Sequence, residues 1–283
     1  ISAYHFNVSM ENQGRLMSRQ LPNKYNTPLG GTISDSKYSL FYTNSNKSRF
    51  AGIIFDFETR WSNVFEIDLQ FKTERLLTQF TYRNKFHIIS ASIKSDELYL
   101  YEFDTSGSYK KKVLDLREHE VYATYSEPVK LKTALYAEMT SRPLTEIRWI
   151  QRDIPYSLDS MTSLYKLYID GAYMHLLFYI NSDFTQAISY NLESEKVTFK
   201  KIPQPEFKKE SLTNSYLFDG RLFQLKINAR EMALQISDFD SGEVLKEHYI
   251  NKEQELFLTT GPIRQRGGRY AKYRELERTA QFL

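Results

Sequence analysis

The chain has 283 residues with a net charge of +3, 26% charged residues, 41% hydrophobic residues and no cysteine. The lack of cysteine excludes disulfides, thiolate nucleophiles and thiolate metal sites. No apolar run reaches the roughly 18–20 residues of a membrane helix. Aromatic residues make up 15% (21 Tyr, 19 Phe), which argues against disorder and suits half-buried pleated surfaces.

In chain order, the first strand is Tyr4-His5-Phe6-Asn7-Val8-Ser9, followed by a turn at Met10-Glu11-Asn12 and an outer strand near residue 18. Gly52 to Phe55 and Val64 to Leu69 flank a turn at Phe57-Glu58-Thr59, and Leu98 to Tyr101 and Val113 to Leu116 flank one at Phe103-Asp104-Thr105. A segment from Thr124 to Lys132, with Pro128, reads as an insertion. Thr145 to Ile150, after a turn at Ser141-Arg142-Pro143, reads as the outer strand of a fourth unit. Tyr168-Ile169-Asp170-Gly171 leads into Met174 to Ile180, and Leu217-Phe218-Asp219-Gly220 leads into Leu222 to Ile227. Asp-Gly between β-branched and aromatic runs is a hairpin signal. A turn at Leu192-Glu193-Ser194 precedes an outer strand near 199. Met232 to Ile236 and Val244 to Ile250 flank Phe239-Asp240-Ser241, and Glu255 to Thr260 reads as one more inner strand.

The apolar–acid–polar triplets starting at 10, 57, 103, 192 and 239 are 47, 46, 89 and 47 residues apart. The acids are read as turn formers, bonding nearby backbone N–H groups, with Gly14, Gly107 and Gly242 closing three turns at positive φ. A β-rich repeat of roughly 40–50 residues has the length of a propeller blade. On these repeats and turns the chain resembles the β-propeller class over residues 1–263, in a form that is neither WD nor kelch. The resemblance implies an all-β, six-bladed β-propeller of four-stranded blades, with outer strands near 18, 66, 114, 149, 199 and 247. Residues 1–22 and 251–263 would share the closing blade, because an unclosed end exposes apolar surface and an unpaired edge.

Residues 264–283 hold six basic residues against two acidic, which leaves the rest at 32 basic and 33 acidic. A neutral ring argues against nucleic-acid binding. Tyr273, Leu276, Ala280 and Leu283 fall on one helical face, so a short amphipathic helix is expected here. This tail packs back on the ring or docks an acidic protein partner through Arg264, Arg266, Arg269, Lys272, Tyr273, Arg274 and Leu276.

Catalytic signals are sparse. His5, His87, His119, His175 and His248 form no His-x-His pair and no His-Glu-x-x-His helix, and neither a nucleophile elbow nor a phosphate loop occurs. His87 and His175 sit in strands and are read as hydrogen-bonded packing groups, with the central channel as the alternative. Trp61 and Trp149 are read as blade packing. Asp240-Ser241-Gly242 overlaps the turn box of sialidase-type propellers, but Asp238 replaces its Ser and no Trp follows. No catalytic residue, metal ligand or cofactor is nominated. The Asn-, Lys-, Tyr- and Phe-heavy composition is similar to exported propellers of gliding bacteria that use type 9 secretion. That likeness implies a non-catalytic accessory subunit docking on an outer-membrane transport or secretion assembly in the cell envelope. Ile1 without a preceding methionine fits a mature periplasmic or otherwise exported protein, with cytoplasm as the alternative. The rival function is a glycan-binding or hydrolytic propeller that uses the channel mouth.

Overall fold

The computed structural model describes residues 1–251 apart from 35, 123–126, 136–146, 153, 155–160, 162, 180, 182, 208–210 and 229–230. The chain divides into two compact units, Ile1–His119 with Lys130–Leu144, and Glu120–Val129 with Thr145–Leu283. The expected strand at Glu255 to Thr260 and the tail at 264–283 lie outside the described residues.

The first unit opens with the hairpin β1 (Ser2–Phe6) and β2 (Asn12–Met17). Two antiparallel four-stranded meanders follow. One is β3 (Thr27–Ser34), β4 (Lys37–Thr43), β5 (Arg49–Asp56) and β6 (Trp61–Gln70). The other is β7 (Glu74–Tyr82), β8 (Lys85–Ser92), β9 (Glu97–Phe103) and β10 (Tyr109–Asp115). A short helix, α1 (Leu131–Leu135), also belongs to this unit and had no counterpart in the sequence reading.

The strands grade from core to edge. β5 and β8 are buried at every position but the first, so their near-continuous apolar runs pack on both faces. The edge strands β6 and β10 are largely exposed, and β10 carries Lys110, Lys111 and Lys112. Charged edges of this kind resist pairing with another sheet. The two meanders pack through Phe41, Phe50, Ile67, Phe71, Phe86, Ile88, Tyr101 and Phe103, with Phe41 stacked on Phe86 at 4.7 Å. Phe65 of β6 completes this contact. It faces Gly52 across the β5–β6 pair, and its ring also lies against Gly107 in the turn after β9. A Cβ on either glycine would overlap the ring.

Glu74 ties the second meander together. Ser90 Oγ and Tyr101 OH donate to its Oε2 at 2.7 and 2.8 Å, and Lys111 Nζ lies 2.8 Å from its Oε1. On the outer flank of β3–β6, the hairpin packs Ala3 and Leu16 over Ala51, Ile53 and Phe55. Its opposite side leaves Tyr4, Phe6 and Met17 about half exposed or more.

The second unit contains the short pair β11 (Val121–Tyr122) and β12 (Pro128–Val129), which places Pro128 of the expected insertion in a strand. Its larger sheets are a five-stranded one, β13 (Arg148–Ile150), β14 (Tyr165–Asp170), β15 (Tyr173–Phe178), β16 (Phe184–Asn191) and β17 (Val197–Pro203), and a four-stranded one, β18 (Leu212–Phe218), β19 (Arg221–Ile227), β20 (Glu231–Asp238) and β21 (Val244–Asn251). Here the sequence reading needs correction. β13, expected as the outer strand of its own unit, runs parallel to β14 with Trp149 opposite Leu167. Three residues bounded by Arg148 are too short to show which sheet they join. The two sheets meet through Ile150, Tyr168, Leu177, Ile202, Leu217, Leu222 and Phe239. β16 is buried at all but its two end positions, whereas β17 at the edge carries Lys200 and Lys201.

The recurring turns exist, but in four of the five a residue outside the triplet organises them, and Asp104 alone does so as expected. Asp56 accepts from the N–H groups of Glu58 and Thr59, Asn191 from those of Glu193 and Ser194, and Asp238 from those of Asp240 and Ser241. Asn7 and Asp104 do the same at the other two turns. In four of the five copies the organiser thus precedes the triplet: an Asx side chain bonds the backbone two residues ahead. Gly107 and Gly242 have positive φ as expected, but Gly14 lies inside β2 and the positive φ of that turn belongs to Met10. Backbone N–H bonds to Asp238 also hold its carboxyl below the usual range. Asp238→Ala is therefore expected to speed amide exchange at Asp240 and Ser241 and lower the melting temperature. Asp240→Ala should leave those amides protected; equal effects would assign the turn to the wrong acid.

Candidate functional site

Two hairpin tips of the second unit come together beside Arg152. The β14–β15 hairpin turns on Gly171-Ala172, with Asp170 paired to Tyr173 as the last rung. The β18–β19 hairpin turns on Asp219-Gly220, both at positive φ, with Phe218 paired to Arg221. The two Asp-Gly pairs thus sit one residue out of phase: Asp170 ends a strand, whereas Asp219 is in its turn. Positive φ at both central residues marks the hairpin turn whose twist matches its strands.

The Arg152 guanidinium spans the gap. Its Nη2 is 3.8 Å from Asp170 Oδ1 and 3.8 Å from Asp219 Oδ1, and its carbon lies 5.2 Å from the centre of the Phe218 ring. These carboxylates are beyond hydrogen-bond reach, so both contacts are Coulombic. Ile150, Tyr168, Tyr216 and Leu217 complete a cleft of about 30 Å³. Tyr216 stands edge-on to Tyr168 and nearly parallel to Phe218. The arrangement combines donors, acceptors and an aromatic wall in one place.

Behind the cleft the two sheets share a buried polar seam. Lys166 of β14 is fully buried, and its Nζ donates to Asn214 Oδ1 at 2.6 Å and to the Ser215 carbonyl at 2.8 Å. The Tyr179 ring centre is 4.9 Å away, and burial lowers the Lys166 pKa to about 7. Gln224 and Gln235 donate to the Ile202 and Pro203 carbonyls, and Thr185 shares a 2.8 Å contact with Ser215. Each polar group named here has a bonded partner, which makes the seam a fixed part of the packing.

His87 and His175 are packing groups, as expected. His87 Nδ1 lies 3.0 Å from the Lys85 carbonyl while its ring stacks on Phe80; His175 Nδ1 lies 2.7 Å from Ser189 Oγ. Burial lowers both to about 4, so both are neutral at pH 7. Trp61 departs from expectation: it is half exposed at the start of β6 instead of packed between sheets. Among the described residues no group of three or more His, Asp or Glu is placed to hold a metal ion. No helix among them is long and apolar enough to cross a membrane. The tail residues Arg264, Arg266, Arg269, Lys272, Tyr273, Arg274 and Leu276 lie outside the described residues. The sequence reading missed Arg152. The available signal was the 49-residue recurrence of Asp-Gly, which aligns two acidic tips on neighbouring sheets.

No family model matches the chain, and no curated protein matches it. Among solved structures it is similar to puromycin hydrolase, at 10% identity and a TM-score of 0.37 over 78% of this chain; it spans 28% of that one. It is also similar to the WD40 domain of SCAP from fission yeast, at 9% identity and a TM-score of 0.34, covering 90% of this chain and 72% of that one. A third likeness is to the β-propeller domain of the Trilobed protease from Pyrococcus furiosus, at 10% identity and a TM-score of 0.35, covering 80% and 57% of the two chains.

Proposed function

We propose that the chain is a six-bladed propeller acting as an exported accessory subunit, docked on a larger cell-envelope assembly without catalysing a reaction. The observation that supports this most is the leading hairpin. Among the described residues β1 and β2 form a two-stranded sheet, yet their outward side carries Tyr4, Phe6 and Met17. Two strands alone are marginal in water, so this pair calls for further strands and a covering face. Residues 251–263 would supply an inner strand and close the ring. The basic tail would then emerge beside the closure and meet an acidic partner.

The Cys-free chain makes closure testable. Cysteine at Tyr4, paired in turn with each of positions 256–258, should yield one intramolecular disulfide under mild oxidation; failure of the whole series refutes closure. Docking is tested by co-purification from native membranes, with the full chain and with one ending at residue 263. A retained partner that dissociates from the shortened chain supports the tail's role, and an unaccompanied monomer in both cases overturns docking.

A second reading, saccharide binding, is favoured by one feature: the Arg152 cleft with its two carboxylates and aromatic wall.

A further inference from the structure

We propose that the cleft of Arg152, Asp170, Asp219 and Phe218 is a subsite for adjacent hydroxyls of a neutral saccharide, an assignment that rests on the saccharide reading.

Charge balance narrows the ligand first. One guanidinium and two carboxylates leave the cleft with a net charge of about −1. A phosphate or carboxylate approaching Arg152 meets Asp170 and Asp219 at the same time. A simple cation approaching the two acids meets Arg152 between them. A neutral group that both donates and accepts avoids both conflicts. Adjacent hydroxyls fit: each donates a hydrogen bond to a carboxylate and accepts one from the guanidinium.

Geometry supports the same class. The 3.8 Å gaps on both sides of Arg152 Nη2 leave its donors and the two Oδ1 atoms short of hydrogen bonds with one another. These are distances that an inserted oxygen can bridge. Arg152 and Asp170 are half exposed and Asp219 more so, which keeps all three accessible. Phe218, 43% exposed, with Arg152 over its ring and Tyr216 nearly parallel to it, offers an apolar edge to the C–H groups of a sugar ring. A volume of about 30 Å³ holds a hydroxyl pair and not a whole ring. The ring therefore rests on the rim, and millimolar affinity is expected. The hydrogen-bonded hairpins fix the backbone beneath both acids before any ligand arrives.

The test uses the full chain, a glycan array, and saturation-transfer NMR with methyl glycosides of glucose, galactose, mannose and fucose. At least one sugar should bind the unaltered protein. Arg152→Gln should weaken that binding at least tenfold, Asp219→Asn severalfold, and neither should shift the melting temperature. Excess inorganic phosphate should not compete. Sugar binding that survives both substitutions overturns this site while leaving the saccharide reading standing. Absence of sugar binding on the array and by NMR overturns both. Competition by phosphate overturns the neutral-ligand assignment.

Discussion

Gly107→Ala is expected to destabilise the first unit by about 2–5 kcal/mol, whereas Gly242→Ala in the corresponding turn of the second unit should cost about 1–2 kcal/mol. Both glycines have strongly positive φ, +86° and +76°. A Cβ in that region costs roughly 1–2 kcal/mol by local sterics alone. Around Gly242 the space for a methyl group is open, so the cost ends there. At Gly107 the methyl would enter the Phe65 ring, which Gly52 confines from its own strand. Overpacking of this kind adds about 1–3 kcal/mol. Urea denaturation of the two variants measures the difference. Phe65→Leu in the Gly107→Ala background should recover part of the loss, because the smaller side chain can yield. Equal costs at the two glycines would mean that Phe65 does not bind the meanders as described.

Raising the pH from 7 to 10 is expected to stabilise the second unit by about 3–4 kcal/mol through Lys166 alone. Its pKa falls from 10.5 in the unfolded chain to about 7 in the fold, because burial penalises the ammonium form. Between these values the unfolded state holds the proton and the folded state does not, so stability increases with pH. Each pKa unit corresponds to about 1.36 kcal/mol, which sets the size of the effect. Below pH 7 both states are charged and the fold carries the full penalty of a buried cation. Lys226, lowered for the same reason, acts in the same direction. Tyr165 and Tyr179, raised by burial, oppose the trend only above pH 10, where the unfolded phenols ionise. The measurement is the urea midpoint at several pH values for the unaltered chain and for Lys166→Met. The slope should largely disappear in the variant. Slope is the decisive quantity because methionine also strands Asn214 Oδ1 and the Ser215 carbonyl, which lowers stability at every pH. A slope that persists in Lys166→Met would overturn the assignment.

The sequence made the all-β class legible because strand and turn signals are local. β5 and β20 announce themselves as apolar runs that end in Asx turns, β8 as one that ends in a turn on the Ser92 hydroxyl, and the period of about 47 residues records the repeat. Turn chemistry was legible to within two residues in four of the five copies, and to within four at Asn7. The apolar–acid triplets drew attention, but Asp56, Asn191 and Asp238 at the strand ends accept the backbone protons. Pairing beyond the hairpin was not legible. β13 resembles an outer strand in composition, and only long-range register assigns it to β14 in parallel. Arg152 escaped for the same reason: its partners are 18 and 67 residues away, and the 49-residue Asp-Gly recurrence marks the two acids without pointing to the arginine. Lys166 looks like an ordinary strand lysine until the neighbouring sheet encloses it.

The lysines of β10 and β17 have a consequence for how the molecule behaves in a crowded compartment. Each lies on a strand whose outward backbone groups would otherwise template a neighbouring chain. Their charge opposes pairing of these two edges with other β-rich chains. Chemical acylation of Lys110 would weaken that barrier and favour self-association, whereas acylation of Lys111 would also break its contact with Glu74. Resistance to edge pairing thus resides on strands remote in sequence from the Asp-Gly hairpin tips, and one can change without the other.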